Sequence, residues 1–229
     1  MSASQVEAVT FTQVGDTGQT LDTAQVIPAG SLPLDSISGS ISGGNVVNLF
    51  KIFLTGGQTF SATTINAETL LQLPVDQTLG IPTDLLVDPQ LFLFNLAGLG
   101  IYGHDDSIGT QATLSSGGFS PAQSGAYFLA IASSGFNPVS PLGNIFSPAN
   151  PAGILEPTGV GASQPFSEFV GQGLGVGRYA IALTGVTTSA DNSNAIPEPE
   201  QTAGLVAAGV MGLAYQLKRH KQRKSAKRI

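Results

Sequence analysis

The sequence contains no cysteine, so neither a disulfide nor a thiolate metal site can brace the fold, and the chain must be held by its own core. Charge is scarce as well: Asp, Glu, Lys and Arg together make up 10% of the 229 residues. A helical bundle or coiled coil, rich in Glu, Lys and Leu, is thereby excluded, and residues 1–189 show no long window of helical periodicity. Cations are scarcer still. Only Lys51 and Arg178 precede position 218, against all fifteen acidic residues, so residues 1–217 carry −13 while the last twelve carry +7. An acidic body of this kind repels a phosphate backbone, and no nucleic acid is expected as a partner.

What is present is apolar material broken by turn-formers. Hydrophobic residues make 41% of the chain, with 12 Phe, 29 Gly and 14 Pro. That is enough apolar surface to offset the entropy of ordering a folded body. Short runs rich in Phe, Tyr, Ile, Val and Thr read as strands: Val46–Thr55, Phe60–Thr64, Pro89–Phe94, Ala126–Ala132 and Arg178–Val186, with Val6–Thr12 a further strand. Glu68–Val87, with Pro74 and Pro82, reads as an irregular insert or short helix. Ser133–Val176, with many Gly, Ser and Pro, reads as a long loop that is functional or mobile. Gly125-Ala-Tyr127 and Gly177-Arg-Tyr179 each lead into an apolar strand, and both are expected to be inner strands entered through a Gly turn. Many short strands with Gly-rich turns indicate an all-β sandwich or barrel over residues 1–189.

The end of the chain is different in kind. Residues 190–200 form a polar linker containing Pro197-Glu198-Pro199, residues 201–217 are uncharged, and residues 218–229 are basic. Seventeen helical residues span about 25 Å, just short of a hydrocarbon core of about 30 Å. Tyr215 suits the headgroup zone, and Lys218, Arg219, Lys221, Arg223 and Lys224 would hold the carboxy terminus on the cytoplasmic side, sending the body outward. A buried core helix or an amphipathic surface helix fits less well, because the cations lie at one end rather than along one face.

Three arrangements in the sequence bear on catalysis. Gly98-Leu-Gly100-Ile-Tyr-Gly103 matches a dinucleotide-binding spacing, but His104-Asp105-Asp106 follows it and would set two carboxylates where a pyrophosphate should lie. No serine is marked as a partner for His104. Asp105 and Asp106 are adjacent and on a strand would face opposite ways, unlike the carboxylates of a glycosidase. The chain therefore reads as non-catalytic and without an organic cofactor. Asp88, Asp105 and Asp106 are the candidate ligands for calcium, which takes six to eight oxygens, so backbone carbonyls or Asn95 would have to contribute. The alternative for Asp105 and Asp106 is a turn in which the side chains bond nearby backbone N–H groups.

Pro197-Glu198-Pro199, a short apolar helix and a basic cluster, in that order, resemble the PEP-CTERM sorting signal of bacteria. The resemblance implies export, transient membrane retention and recognition at Pro197, Glu198 and Pro199 by an exosortase. Delivery to the cell surface or extracellular matrix would follow, with exopolysaccharide or other matrix components as partners. The alternative is a permanently tail-anchored membrane protein with an outward-facing ligand-binding sandwich. Family members carry an amino-terminal secretion signal. MSASQVEAVTFTQ shows none, and the expectation is that the true start lies upstream. Residues 36–135, with NLFKIFLTGG, DPQLFLFNLAG and SGAYFLAIA, resemble the bacterial pre-peptidase C-terminal family. That likeness implies a jelly-roll-like β-sandwich that binds rather than catalyses, some members holding calcium. Asn48 stands where that family commonly has Asp. The fold class expected is thus a jelly-roll-like β-sandwich followed by a linker and one C-terminal transmembrane helix.

Overall fold

The computed structural model describes residues 9–27, 32–65, 85–106, 109–114, 120–147, 153–173 and 175–187. The chain divides into two units, Met1–Ala190 and Asp191–Ile229. All of the second unit, and with it the expected linker, apolar helix, Pro197–Pro199 motif and basic cluster, lies outside the described residues. So does most of the Glu68–Val87 insert.

The described residues are all-β, with fourteen strands and no helix. No helix among them is long and apolar enough to cross a membrane. One sheet has five strands in the order β1 (Val9–Thr12), β3 (Leu34–Ile41), β13 (Gly177–Thr184), β5 (Ser61–Thr64), β8 (Thr113–Leu114). A second runs β14 (Val186–Thr187), β4 (Val47–Leu54), β9 (Gly125–Ser133), β6 (Pro89–Asn95), β7 (Gly100–His104), and β2 (Gln25–Val26) pairs with β4. β10 (Phe136–Ser140), β11 (Gly143–Asn144) and β12 (Glu168–Gly171) make a third, smaller sheet. The two G-x-Y strands are β9 and β13, and each is interior to its sheet.

Side-chain alternation explains both layers of packing. In β13, Tyr179, Ile181 and Leu183 are buried, and Arg178, Ala180, Ala182 and Thr184 face away from the core. One face only is covered. The buried set meets Phe50, Ile52, Leu91, Leu93, Leu129 and Ile131 of the second sheet, so the two larger sheets share one core. In β6, by contrast, every residue from Pro89 to Phe94 is buried. Leu91 and Leu93 enter the shared core, while Phe92 and Phe94 enter a second one with Phe128, Ile145, Phe146, Leu155 and Phe166. The continuous apolar run of β6 thus reflects a strand covered on both faces.

That second cover corrects the reading of Ser133–Val176 as a loop. Three short strands, β10 to β12, lie within this segment, and its aromatics pack on the second sheet: Phe94 lies 5.1 Å from Phe166 and 6.0 Å from Phe146, ring centre to ring centre. Its Gly and Pro content hid the strands because they are short, while its anchors are single aromatics without period. Gly98-to-Gly103 is a β6–β7 hairpin, not a phosphate loop: Gly98 has φ of +79° in the turn, and Asn95 Oδ1 accepts the Leu99 N–H at 2.9 Å.

Candidate metal centre

The site is built at one end of three neighbouring strands. β6 pairs antiparallel with β7 through Leu91↔His104, Phe92↔Gly103 and Leu93↔Tyr102. Continuing that register by one place sets Gln90 opposite Asp105. On the other side β6 pairs with β9 through Gln90↔Ala132 and Pro89↔Ser133, and the next place sets Asp88 opposite Ser134. There the Ser134 N–H donates to the Asp88 carbonyl at 2.7 Å. Alternation puts Asp88 and Gln90 on the face of β6 that carries Phe92 and Phe94. Because β7 ends at His104, Asp105 and Asp106 leave the strand, and the opposite orientation expected of adjacent strand residues does not apply to them.

The outcome is that Asp88, Asp105 and Asp106 come together, each partly buried, with one carboxylate oxygen from each lying within 4.8 Å of the others. Asn95 does not join them. It lies at the far end of β6, roughly 20 Å along the strand from Asp88 at about 3.3 Å per residue, and its Oδ1 is committed to the hairpin turn.

Three acids so close together strain one another. Burial pushes the Asp105 carboxyl up to about 6, and the charges of Asp106 and Asp88 push it the same way, against a lowering contact from the Gln90 side chain. Asp88 is also raised, by burial first and by Asp106 last, with the Ser134 side chain pulling it down. His104 is lowered by burial, partly opposed by its bond to the Asp105 backbone and by the charge of Asp106, so its imidazole is neutral at pH 7. Oδ1 of Asp88, Oδ1 of Asp105 and Oε1 of Gln90 are buried and have no hydrogen-bond partner. Buried oxygens of this kind are normally satisfied, so the bare oxygens of Asp88 and Asp105, with Gln90 Oε1 bare on the adjoining strand, make this a candidate place for a cation.

Gln90 and Ser134 escaped the sequence reading. The available signal was the polar Gln90 within the otherwise apolar run Leu-Phe-Leu-Phe of β6; Ser134 had none, because its placement depends on the β6–β9 register. An open cleft of about 590 Å³ lies elsewhere, across β1, β3 and β13, bordered by Gln13, Ser40, Arg178 and Tyr179. It shares no residue with the triad. Its polar atoms largely bond one another, as in Ser40 N–H to Gln13 Oε1 at 2.8 Å, so the chemistry is placed at the carboxylates.

No protein-family model matches this chain, and no curated protein matches it.

Proposed function

We propose that the chain is a non-catalytic, exported bacterial surface or matrix module of jelly-roll-like β-sandwich type. In this reading the Asp88, Asp105 and Asp106 carboxylates hold a calcium ion, and the last thirty residues act as a sorting signal processed by an exosortase. The observation that carries the binding role is the approach of three carboxylate oxygens to within 4.8 Å beside unpartnered buried oxygens. Oxygen-only donors in a partly exposed setting suit calcium better than zinc or other metals that prefer nitrogen or sulfur. Once bound, the ion would neutralise the repulsion among the three acids. The arrangement supports binding over catalysis, since His104 is buried and neutral and the acids crowd one point instead of flanking a bond.

Delivery rests on sequence order: Pro197-Glu198-Pro199, an uncharged stretch, then Lys218, Arg219, Lys221, Arg223 and Lys224. Two prolines keep the backbone extended and short of N–H donors, as a protease requires, and the cations fix orientation. Deleting residues 197–229 is the test. Loss of surface delivery supports the reading, and unchanged localisation contradicts it. Intact mass separates the alternative: truncation near Pro197 indicates processing, full length a permanent anchor.

A further inference from the structure

Gln90 is the least expected residue of the site. It lies near the start of a strand whose other residues include Pro89, Leu91, Phe92, Leu93 and Phe94, and it is 4% exposed. A buried primary amide brings two donors and a carbonyl acceptor, and leaving the acceptor bare costs about 1–3 kcal/mol. Its Oε1 is bare. Its other end meets the Asp105 carboxylate, as the register that sets residues 90 and 105 opposite each other requires. An apolar residue would fill the position without penalty, as Leu91 and Phe92 do beside it. The amide therefore needs a partner that acts on oxygen and lies next to Asp105, on the face that Asp88 shares.

We infer that Gln90 is a fourth protein ligand of the cation, contributing the neutral oxygen Oε1 while its NH₂ group holds Asp105 in position. The inference rests on the calcium reading above and extends it by naming the donor that sequence inspection lacked. Three carboxylates supply at most six oxygens and usually fewer, whereas calcium takes six to eight, so a neutral carbonyl fills a real deficit without adding to the −3 charge of the triad. Gln90 also differs from the acids in burial: it is 4% exposed, whereas each of the three acids is partly exposed and within reach of water.

The test uses the full chain in detergent, with calcium followed by calorimetry and europium(III) as the luminescent substitute, its lifetimes in H₂O and D₂O counting bound waters. Gln90→Leu is expected to weaken calcium binding roughly ten- to hundredfold. It should also add about one coordinated water to europium, since solvent replaces a lost ligand oxygen. A residue that merely packs would leave the water count where it was. An unchanged count, or unchanged affinity, in a Gln90→Leu chain with native circular dichroism overturns the inference and leaves the triad standing. Should Gln90→Leu not fold, Gln90→Asn, too short to reach, carries the same expectations. If the unaltered chain binds neither ion, the calcium reading itself falls and this inference with it.

Discussion

Asn48 and Tyr179 join the two larger sheets through a buried hydrogen bond: Asn48 Nδ2 donates to the Tyr179 hydroxyl at 2.9 Å, from β4 to β13. The same NH₂ group lies 2.8 Å from the Ser40 carbonyl and 3.0 Å from Gln13 Oε1, and the Tyr179 hydroxyl donates to Gln13 Oε1 at 3.1 Å. Asn48 is fully buried among Phe50, Ile52 and their partners. A polar knot inside an apolar core favours this meeting of strands, because another pairing would strip the Asn48 NH₂ group and the Tyr179 hydroxyl of these partners, although Asn48 Oδ1 stays without one.

Tyr179→Phe is accordingly expected to lower stability by about 0.5–1.5 kcal/mol, since the hydroxyl's bonds to Asn48 and Gln13 are lost while the Asn48 NH₂ group keeps Gln13 Oε1 and the Ser40 carbonyl as acceptors. Burial already holds the Tyr179 hydroxyl in its neutral form, so no part of this loss should vary between pH 6 and 9. Urea denaturation at two pH values checks both statements.

Gly39→Ala should be destabilising by a separate route. A Cβ there would collide with Gln13 Oε1 and sit 2.6 Å from the Tyr179 hydroxyl, so the knot must open to admit it. The loss should shrink in a Gln13→Ala background, and a double-mutant cycle measures the coupling.

The second core makes its own prediction. Phe94→Ala removes the ring packed between Phe146 and Phe166, and core truncations of this kind cost about 3–5 kcal/mol. Limited proteolysis should then cut first within residues 134–173, whose hold on the second sheet depends on these rings.

In metal-free protein, stability should depend on pH through Asp105. Its folded-state value, raised to about 6, lies above the ordinary carboxylate value of 3.8, so the folded chain binds the proton more tightly than the unfolded one. The contribution is fully present below pH ~4 and lost as pH rises through about 6. With the carboxyl half-exposed, solvent screening limits it to roughly 1 kcal/mol. Asp105→Asn should remove its share of that slope, leaving the share of Asp88, whose carboxyl is also raised by burial, and, in the presence of chelator at pH 7, raise the melting temperature. Melting curves from pH 4 to 8 in chelator decide it.

These sites differ in how much of them the sequence disclosed. The strands β4, β6, β9 and β13 were legible because two-faced burial leaves a continuous apolar run and one-faced burial leaves an alternating one. β3, with Ser36, Ser38, Gly39 and Ser40, was not: its outward residues are small hydroxyls that read as a turn, and only pairing with β13 makes it a strand. Asp88, Asp105 and Asp106 could be nominated as acids flanking strands. Their convergence is a property of register, which local composition does not encode, and the same is true of Gln90 and Ser134.

The most direct test of the account is calorimetric titration of calcium into the full chain, beside the Asp88→Asn and Asp105→Asn variants. The account predicts one ion per chain, bound with a dissociation constant of about 0.1–1 mM as in extracellular modules, with a rise in melting temperature that either substitution removes. No heat and no change in melting at millimolar calcium, or binding by both variants as tight as that of the unaltered chain, would contradict it.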